Sequence, residues 1–302
     1  MYKYSSTAAV KNLIFIFIKE IRAQMDKEKA LKEIQSNIRG GNTPLASGQI
    51  MEMADCFSDD PFTLLTCASL LKVIDHDPDA EKVANKISGI VKDEDRLEAA
   101  KGLRRIGFPA EAKKILSAAA ESDGVIREKM NVFFDLRMYP EASETYDRLS
   151  IPTLDDTATM IGAISAAGEH KRAVDLAEGL LAESPDTLNV QKCYCSVLFA
   201  AGKTKEAGKF VKDNLKKNKT SDAESLASYY LWIEGKTTSA GAYASKAIKS
   251  DQNNTLAMEI LAYCLAEKGK ISEARIVAGA INEKEPGNPA VVRILDMCKN
   301  TK

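Results

Sequence analysis

The chain has 302 residues, 45 % of them hydrophobic and 28 % charged, which is enough apolar surface to build a core and too much for a disordered chain. Its 42 basic and 43 acidic residues leave a net charge of −1, which excludes a global pull toward nucleic acid or an anionic membrane. The six cysteines, Cys56, Cys67, Cys193, Cys195, Cys264 and Cys298, are scattered rather than framed as disulfide pairs, which points to a reducing, cytoplasmic setting.

Residues 1–24 differ from the rest. Leu13, Ile14, Phe15, Ile16, Phe17 and Ile18 form an apolar run flanked by Lys11 and Lys19. The run is shorter than the roughly 20 residues a bilayer span needs and shorter than the about 7–15 of a signal-peptide core. No membrane span is expected. Met25, just before the helix-forming run from Asp26 to Leu31, is a second candidate start. Residues 1–24 therefore read as an extraneous or disordered extension, as a helix capping the first repeat, or as a surface membrane attachment.

From residue 27 onward, apolar residues recur at three- and four-residue spacing with no sustained alternating run, so helices and no strands are predicted. Breaks come at a regular interval. Gly is followed five residues later by Ala at Gly41/Ala46, Gly107/Ala112, Gly168/Ala173, Gly202/Ala207, Gly235/Ala240 and Gly269/Ala274, and two further units around Ala80 and Ala142 carry Asp75 and Arg137 in place of Gly. The eight alanines are 30 to 34 residues apart. Each interval holds two helices of about a dozen residues and two short turns, so each unit is a helical hairpin.

Placement gives the residues their roles. Gly ends the first helix in a left-handed conformation, and a small Ala early in the second lets the two backbones approach. Twelve residues before the alanines stand Ile34, Ala68, Ala100, Met130, Ile161, Cys195, Ser228 and Ala262, and three residues further on Asn37, Leu71, Leu103, Phe133, Ile164, Leu198, Leu231 and Leu265. These two sets are expected to form a continuous inner seam. The short intervals before Ala142 and Ala173, near Pro140 and Pro152, are expected to tighten a turn and bend the stack. Residues 25–302 are read as one repeat domain.

The period near 34, Gly-x-x-x-x-Ala, and the late prolines Pro185 and Pro286 resemble tetratricopeptide repeats, in about eight degenerate units over residues 27–290. The last unit matches best, through Leu261, Ala262, Leu265, Gly269, Ala274 and Pro286; the early Trp of the family is absent from all eight. The resemblance implies an all-α fold, a right-handed superhelical solenoid of antiparallel helix hairpins whose first helices line a concave groove. It also implies a protein or peptide partner held there by a non-catalytic scaffold.

Candidate groove residues follow from the register. Lys101, Arg104, Arg105, Arg127 and Asn131 make the middle basic, suiting an acidic peptide or an ordinary solvated face; Tyr229, Trp232 and Tyr263 make the C-terminal end aromatic. Packing of Trp232 and one tyrosine between units seven and eight is the competing reading. A grip on a peptide's terminal carboxylate, as in chaperone-binding members of the family, is not supported: Arg127 and Asn131 fit, but Thr159, Asn189 and Cys193 do not.

Catalytic chemistry lacks its parts. The two histidines, His76 and His170, stand beside turns and read as solvated. Cys193 and Cys195 point to different helix faces with no completing ligands, so neither metal nor cofactor is expected, and Gly40-Gly41 is not followed by the Lys-Ser/Thr of a phosphate loop. Lys203, Lys205, Lys209, Lys212, Lys216, Lys217 and Lys219 form the densest charge run, with Phe210 its one aromatic. It reads as a solvated face, with RNA binding as the alternative. A structural accessory subunit of a larger assembly is the third functional reading.

Overall fold

A computed structural model describes residues 27–285 and 288–300. The segment 1–24 and Pro286 lie outside the described residues. Contacts divide the chain into two units, one ending at Ile90 and one starting at Val91.

The first unit holds α1 (27–39), α2 (Thr43–Cys56), α3 (Pro61–Val73) and α4 (Asp77–Ile90). Asp60 caps α3, accepting the backbone N–H groups of Phe62 at 3.0 Å and Thr63 at 3.2 Å, so two of the helix's orphan donors are satisfied.

The second unit opens with a 3₁₀ turn, Asp93–Asp95, followed by six hairpins: α5 (Arg96–Arg105) with α6 (Pro109–Ser117), α7 (Asp123–Asp135) with α8 (Tyr139–Tyr146), α9 (Leu154–Ala166) with α10 (His170–Glu183), α11 (Leu188–Ala200) with α12 (Thr204–Lys217), α13 (Ser221–Ile233) with α14 (Thr237–Ser250), and α15 (Thr255–Glu267) with α16 (Ile271–Lys284). A last helix, α17 (Pro289–Asn300), follows. No strand occurs among the described residues. The chain is an all-α repeat of antiparallel helical hairpins that resembles tetratricopeptide repeats.

The repeated alanines explain the hairpins. All eight, from Ala46 to Ala274, have 0 % exposure, so each marks the point of closest approach between paired helices, where any larger side chain would force the backbones apart. The facing positions are as tightly closed: Ala68, Ala100, Met130, Ile161, Cys195, Ser228 and Ala262 are all at 0 % and Ile34 at 1 %. Ser228, the one hydroxyl in that row, donates to the carbonyl of Ala240 at 3.0 Å, which removes the penalty of burying it. The second row is less uniform. Leu71, Leu103, Ile164 and Leu198 are buried, whereas Asn37, Phe133, Leu231 and Leu265 are only half-buried.

That last turn carries its own signature. The six turn glycines have φ between +72° and +93°, and Asp75 and Arg137 take the same left-handed conformation at +63° and +59°. In each unit the N–H three residues past the helix end reaches the carbonyl of the second-row residue, as in Met138 to Phe133 at 2.8 Å and Lys270 to Leu265 at 2.9 Å, the double closure of a Schellman turn. Asp75 and Arg137 therefore replace glycine without changing the turn.

The short intervals are accommodated differently from the expected tightened turn. The eight-residue α8 and nine-residue α6 give up length in the second helix, while α10, α12, α14 and α16 have 14 residues each. Pro109 and Pro140 open the two short helices at their first turns, where a missing N–H costs nothing.

Within the second unit, α5, α7, α9, α11, α13, α15 and α17 each touch the next in a row. These first helices form the lining of a groove, and α17 also approaches α5.

Candidate functional site

The aromatic end of the groove is built by α13 and α15. Trp232 and Tyr263 stack with ring centroids 4.8 Å apart and planes 13° from parallel, and Tyr229 stands one helical turn before Trp232, its ring 6.4 Å away. Trp232 donates its indole N–H to Glu267 Oε1 at 2.8 Å, and the Tyr229 hydroxyl meets Ser196 Oγ at 2.7 Å. Burial pushes the Tyr229 and Tyr263 hydroxyls above the ordinary phenol range, with partial relief from the Ser196 hydrogen bond and from Arg293 respectively, so both remain neutral donors near neutral pH.

The cluster divides its labour. Tyr263 is 6 % exposed and belongs to the core shared by α13 to α17, whereas Trp232 and Tyr229 are half-buried against it. A cavity of about 490 Å³ is lined by Tyr229, Trp232, Ile260, Tyr263 and Met297, among others. A second, of about 750 Å³, runs over α9 and α11 past Phe134, Thr159, Gly162 and Ser196. Lys192, Tyr229 and Arg293 line both.

The basic middle is committed elsewhere. Arg104 places Nε 2.6 Å from the buried carboxylate of Glu128 and Nη1 3.2 Å from Asp135. Burial pushes the Arg104 guanidinium toward neutrality, and these two carboxylates more than offset it. Arg127 Nε lies 2.8 Å from both oxygens of Asp156, itself 3 % exposed and part of the capping box with Thr153 that starts α9. Lys101 pairs with Glu98 within α5 at 2.7 Å, and Asn131 is half-buried. The structure thus brings Tyr229, Trp232 and Tyr263 together, and it uses Arg104 and Arg127 to join successive hairpins.

Lys192 and Arg293 escaped the sequence reading. Lys192 occupies the same register before Cys195 that Arg127 occupies before Met130, so its placement was legible. Arg293 lies on α17, beyond the last repeat, where no periodic frame located it. The seven lysines of the charge run are all exposed, but Phe210 packs edge-on against Tyr194 at 5.1 Å and is not free to stack on a base.

The histidines are less solvated than expected. His76 Nδ1 lies 3.1 Å from Ser47 Oγ, and His170, at the start of α10, turns a buried Nδ1 to which no side chain donates. The thiols behave as small apolar groups. No disulfide joins the six cysteines, and burial pushes Cys67 and Cys195 up to about 12 and Cys193 and Cys264 up to about 11, which keeps nucleophilic thiolate scarce. Among the described residues no group of three or more metal-ligating side chains comes together, and no helix is long and apolar enough to cross a membrane.

No protein-family model and no curated protein sequence matches the chain. Solved structures are similar to it. A tetratricopeptide repeat protein from Parabacteroides merdae superposes with a TM-score of 0.47 at 12 % identity, over 80 % of this chain and 99 % of that one. Yeast Tom70 gives 0.43 at 13 % identity, over 86 % of this chain and 58 % of that one. The repeat assignment rests on the chain's own hairpins, their left-handed turns and their closed alanine contacts.

Proposed function

We propose that the protein is a non-catalytic interaction scaffold that holds a peptide, or an extended segment of a partner protein, in the groove lined by its first helices. The observation that carries this reading is the half-buried pair Tyr229 and Trp232 facing cavities of about 490 and 750 Å³. Aromatic side chains held rigid by stacking offer large contact area at little cost in conformational entropy. The rest of the groove supplies amide, hydroxyl and charged groups for orientation: Asn189, Thr159, Ser196 and Lys192.

The test is affinity capture of the full-length protein from its native cells, beside a bait carrying Trp232→Ala. Trp232 is only half-buried against the core, so the variant is expected to fold, which circular dichroism verifies. A protein recovered by the first bait and lost by the folded second supports the reading. Equal recovery by both baits rejects the groove.

A further inference from the structure

The repeat is shortest where α6 and α8 have nine and eight residues, and a separate surface lies there. A cavity of about 200 Å³ is bounded by Lys113 and Leu116 of α6, by Lys129, Val132 and Phe133 of α7, and by Arg148 in the turn after α8. On a helix of 3.6 residues per turn, Lys129, Val132 and Phe133 fall on the side of α7 opposite Arg127, Asn131 and Phe134, so this cavity is outside the groove. Leu116 and Val132 are buried beneath it, and the half-buried ring of Phe133 is fixed against the core around Met130 and Ala142. The rim is cationic. Among the described residues no carboxylate lines the cavity. Glu121 neutralises Arg148, but Lys113 and Lys129 form no ion pair with any described residue, and neither has an acid three or four positions away on its own helix. The Lys113 ammonium instead lies 5.7 Å from the centre of the Phe133 ring and 3.4 Å from Met138 Sδ, both weaker partners than a carboxylate.

We infer that this face docks a segment of a partner protein in which one large apolar side chain, Leu, Phe or Met, is flanked on both sides by Asp or Glu. The volume sets the anchor, since it is below the about 300–1,000 Å³ of small-molecule sites and suits a single side chain. The charges set its neighbours. Lys113 lies over Phe133, whereas Lys129 stands one turn earlier on α7, about 6 Å along the axis. The two unmatched cations therefore mark opposite ends of the cavity and call for an acid on each side of the anchor. A nucleic-acid base fits poorly, because its polar edge would face Leu116, Val132 and Phe133, and the Ser117 hydroxyl there already donates to the Lys114 carbonyl at 2.7 Å. The proposal is independent of the groove, since the two surfaces lie on opposite sides of α7.

The experiment selects twelve-residue peptides displayed on phage, with the full-length Trp232→Ala variant as bait to remove the aromatic contact of the groove. The enriched sequences are then synthesised and their binding measured by fluorescence anisotropy. Peptides with an apolar residue between acids are expected to bind this bait and the parent protein equally. Changing the flanking acids to amides, or making Lys113→Ala with Lys129→Ala, weakens binding roughly three- to tenfold. Changing the anchor to Ala weakens it more than about tenfold. Lys113→Glu with Lys129→Glu is expected to prefer the same peptide with its acids replaced by Lys, a gain that misfolding cannot imitate. The proposal is overturned if no enriched peptide loses affinity in the lysine variants, if the amides bind as well as the acids, or if no peptide is enriched. Retention of the parent protein on immobilised poly(U), lost in the lysine variants while no peptide is enriched, would assign the cations to nucleic acid and overturn it as well.

Discussion

Arg104 on α5 and Glu128 on α7 form a buried ion pair at 2.6 Å, with side chains 13 % and 4 % exposed, and Asp135 closes the guanidinium from its other edge at 3.2 Å. Removing one member strands the other in a medium that solvates charge poorly. Arg104→Ala is therefore expected to lower stability by about 3–5 kcal/mol, measured by urea denaturation. The double replacement Arg104→Met with Glu128→Leu recovers most of that loss, since an apolar pair carries no stranded charge. If Arg104→Ala left stability unchanged but weakened partner capture, the residue would return to the groove as a contact.

Two glycines inside second helices make a matched comparison. A Cβ at Gly179 in α10 would meet nothing within 4 Å, whereas at Gly208 in α12 it would lie 2.7 Å from the Tyr230 hydroxyl, which donates to the carbonyl of Thr204 at 3.3 Å. Gly179→Ala is expected to stabilise by about 0.5–1 kcal/mol, the difference in helix propensity. Gly208→Ala gains the same propensity but displaces Tyr230 from its hydrogen bond and its packing. Thermal melting should rank Gly208→Ala below Gly179→Ala by about 1 kcal/mol; equal shifts would show that Tyr230 yields at no cost.

The hairpins were legible because packing at the alanine contact tolerates almost no variation: a residue that must have 0 % exposure against a facing helix leaves a fixed spacing in the sequence. Turn chemistry was legible for the same reason, and Asp75 and Arg137 could be assigned to glycine positions from their register alone. The site was legible only in part. The aromatic cluster announced itself through residue type, but a cation's role depends on which carboxylate stands opposite, and the partners of Arg104 and Arg127 lie 24 and 29 residues away in sequence. Spacing within one helix does not report such pairs.

Arg137 adopts φ of +59° where six other units place glycine. A left-handed residue with a Cβ costs about 1 kcal/mol relative to glycine, partly returned by the smaller entropy of the unfolded chain. Arg137→Gly is thus expected to stabilise the second unit by roughly 0.5 kcal/mol. The reverse change at Gly168, where φ is +93°, is expected to destabilise by more than about 1 kcal/mol. Chemical denaturation of both variants checks the sign, and a loss of stability in Arg137→Gly would mean that its side chain contributes more than its backbone costs.

The four charge reversals Lys209→Glu, Lys212→Glu, Lys216→Glu and Lys217→Glu test the RNA alternative. These side chains are exposed on α12, and Phe210 is occupied by Tyr194, so the face can offer only non-specific attraction to phosphates. The combined variant is expected to keep its capture of the groove partner. Retention of the parent protein on immobilised RNA at 0.15 M salt, lost in the variant, would instead make this face a binding surface.

Asp60 links the stability of the first unit to pH. Burial pushes its carboxyl up, but hydrogen bonds from Thr63 and from Lys27, whose Nζ lies 3.0 Å away, more than offset this and hold its pKa below the usual value. A folded pKa below the unfolded value of about 3.9 means that the ionised cap stabilises fully above about pH 4 and that this contribution is lost as pH falls through the folded pKa. The side chain is 36 % exposed, so solvent screening keeps the charge-dependent part below about 1 kcal/mol. Asp60→Asn retains the capping oxygen and loses the charge. Melting curves between pH 7 and pH 3 are expected to show the parent protein ahead of the variant at neutral pH and the two converging at the acid end. A difference that stays constant across the range would assign the contribution of Asp60 to its geometry and not to its charge.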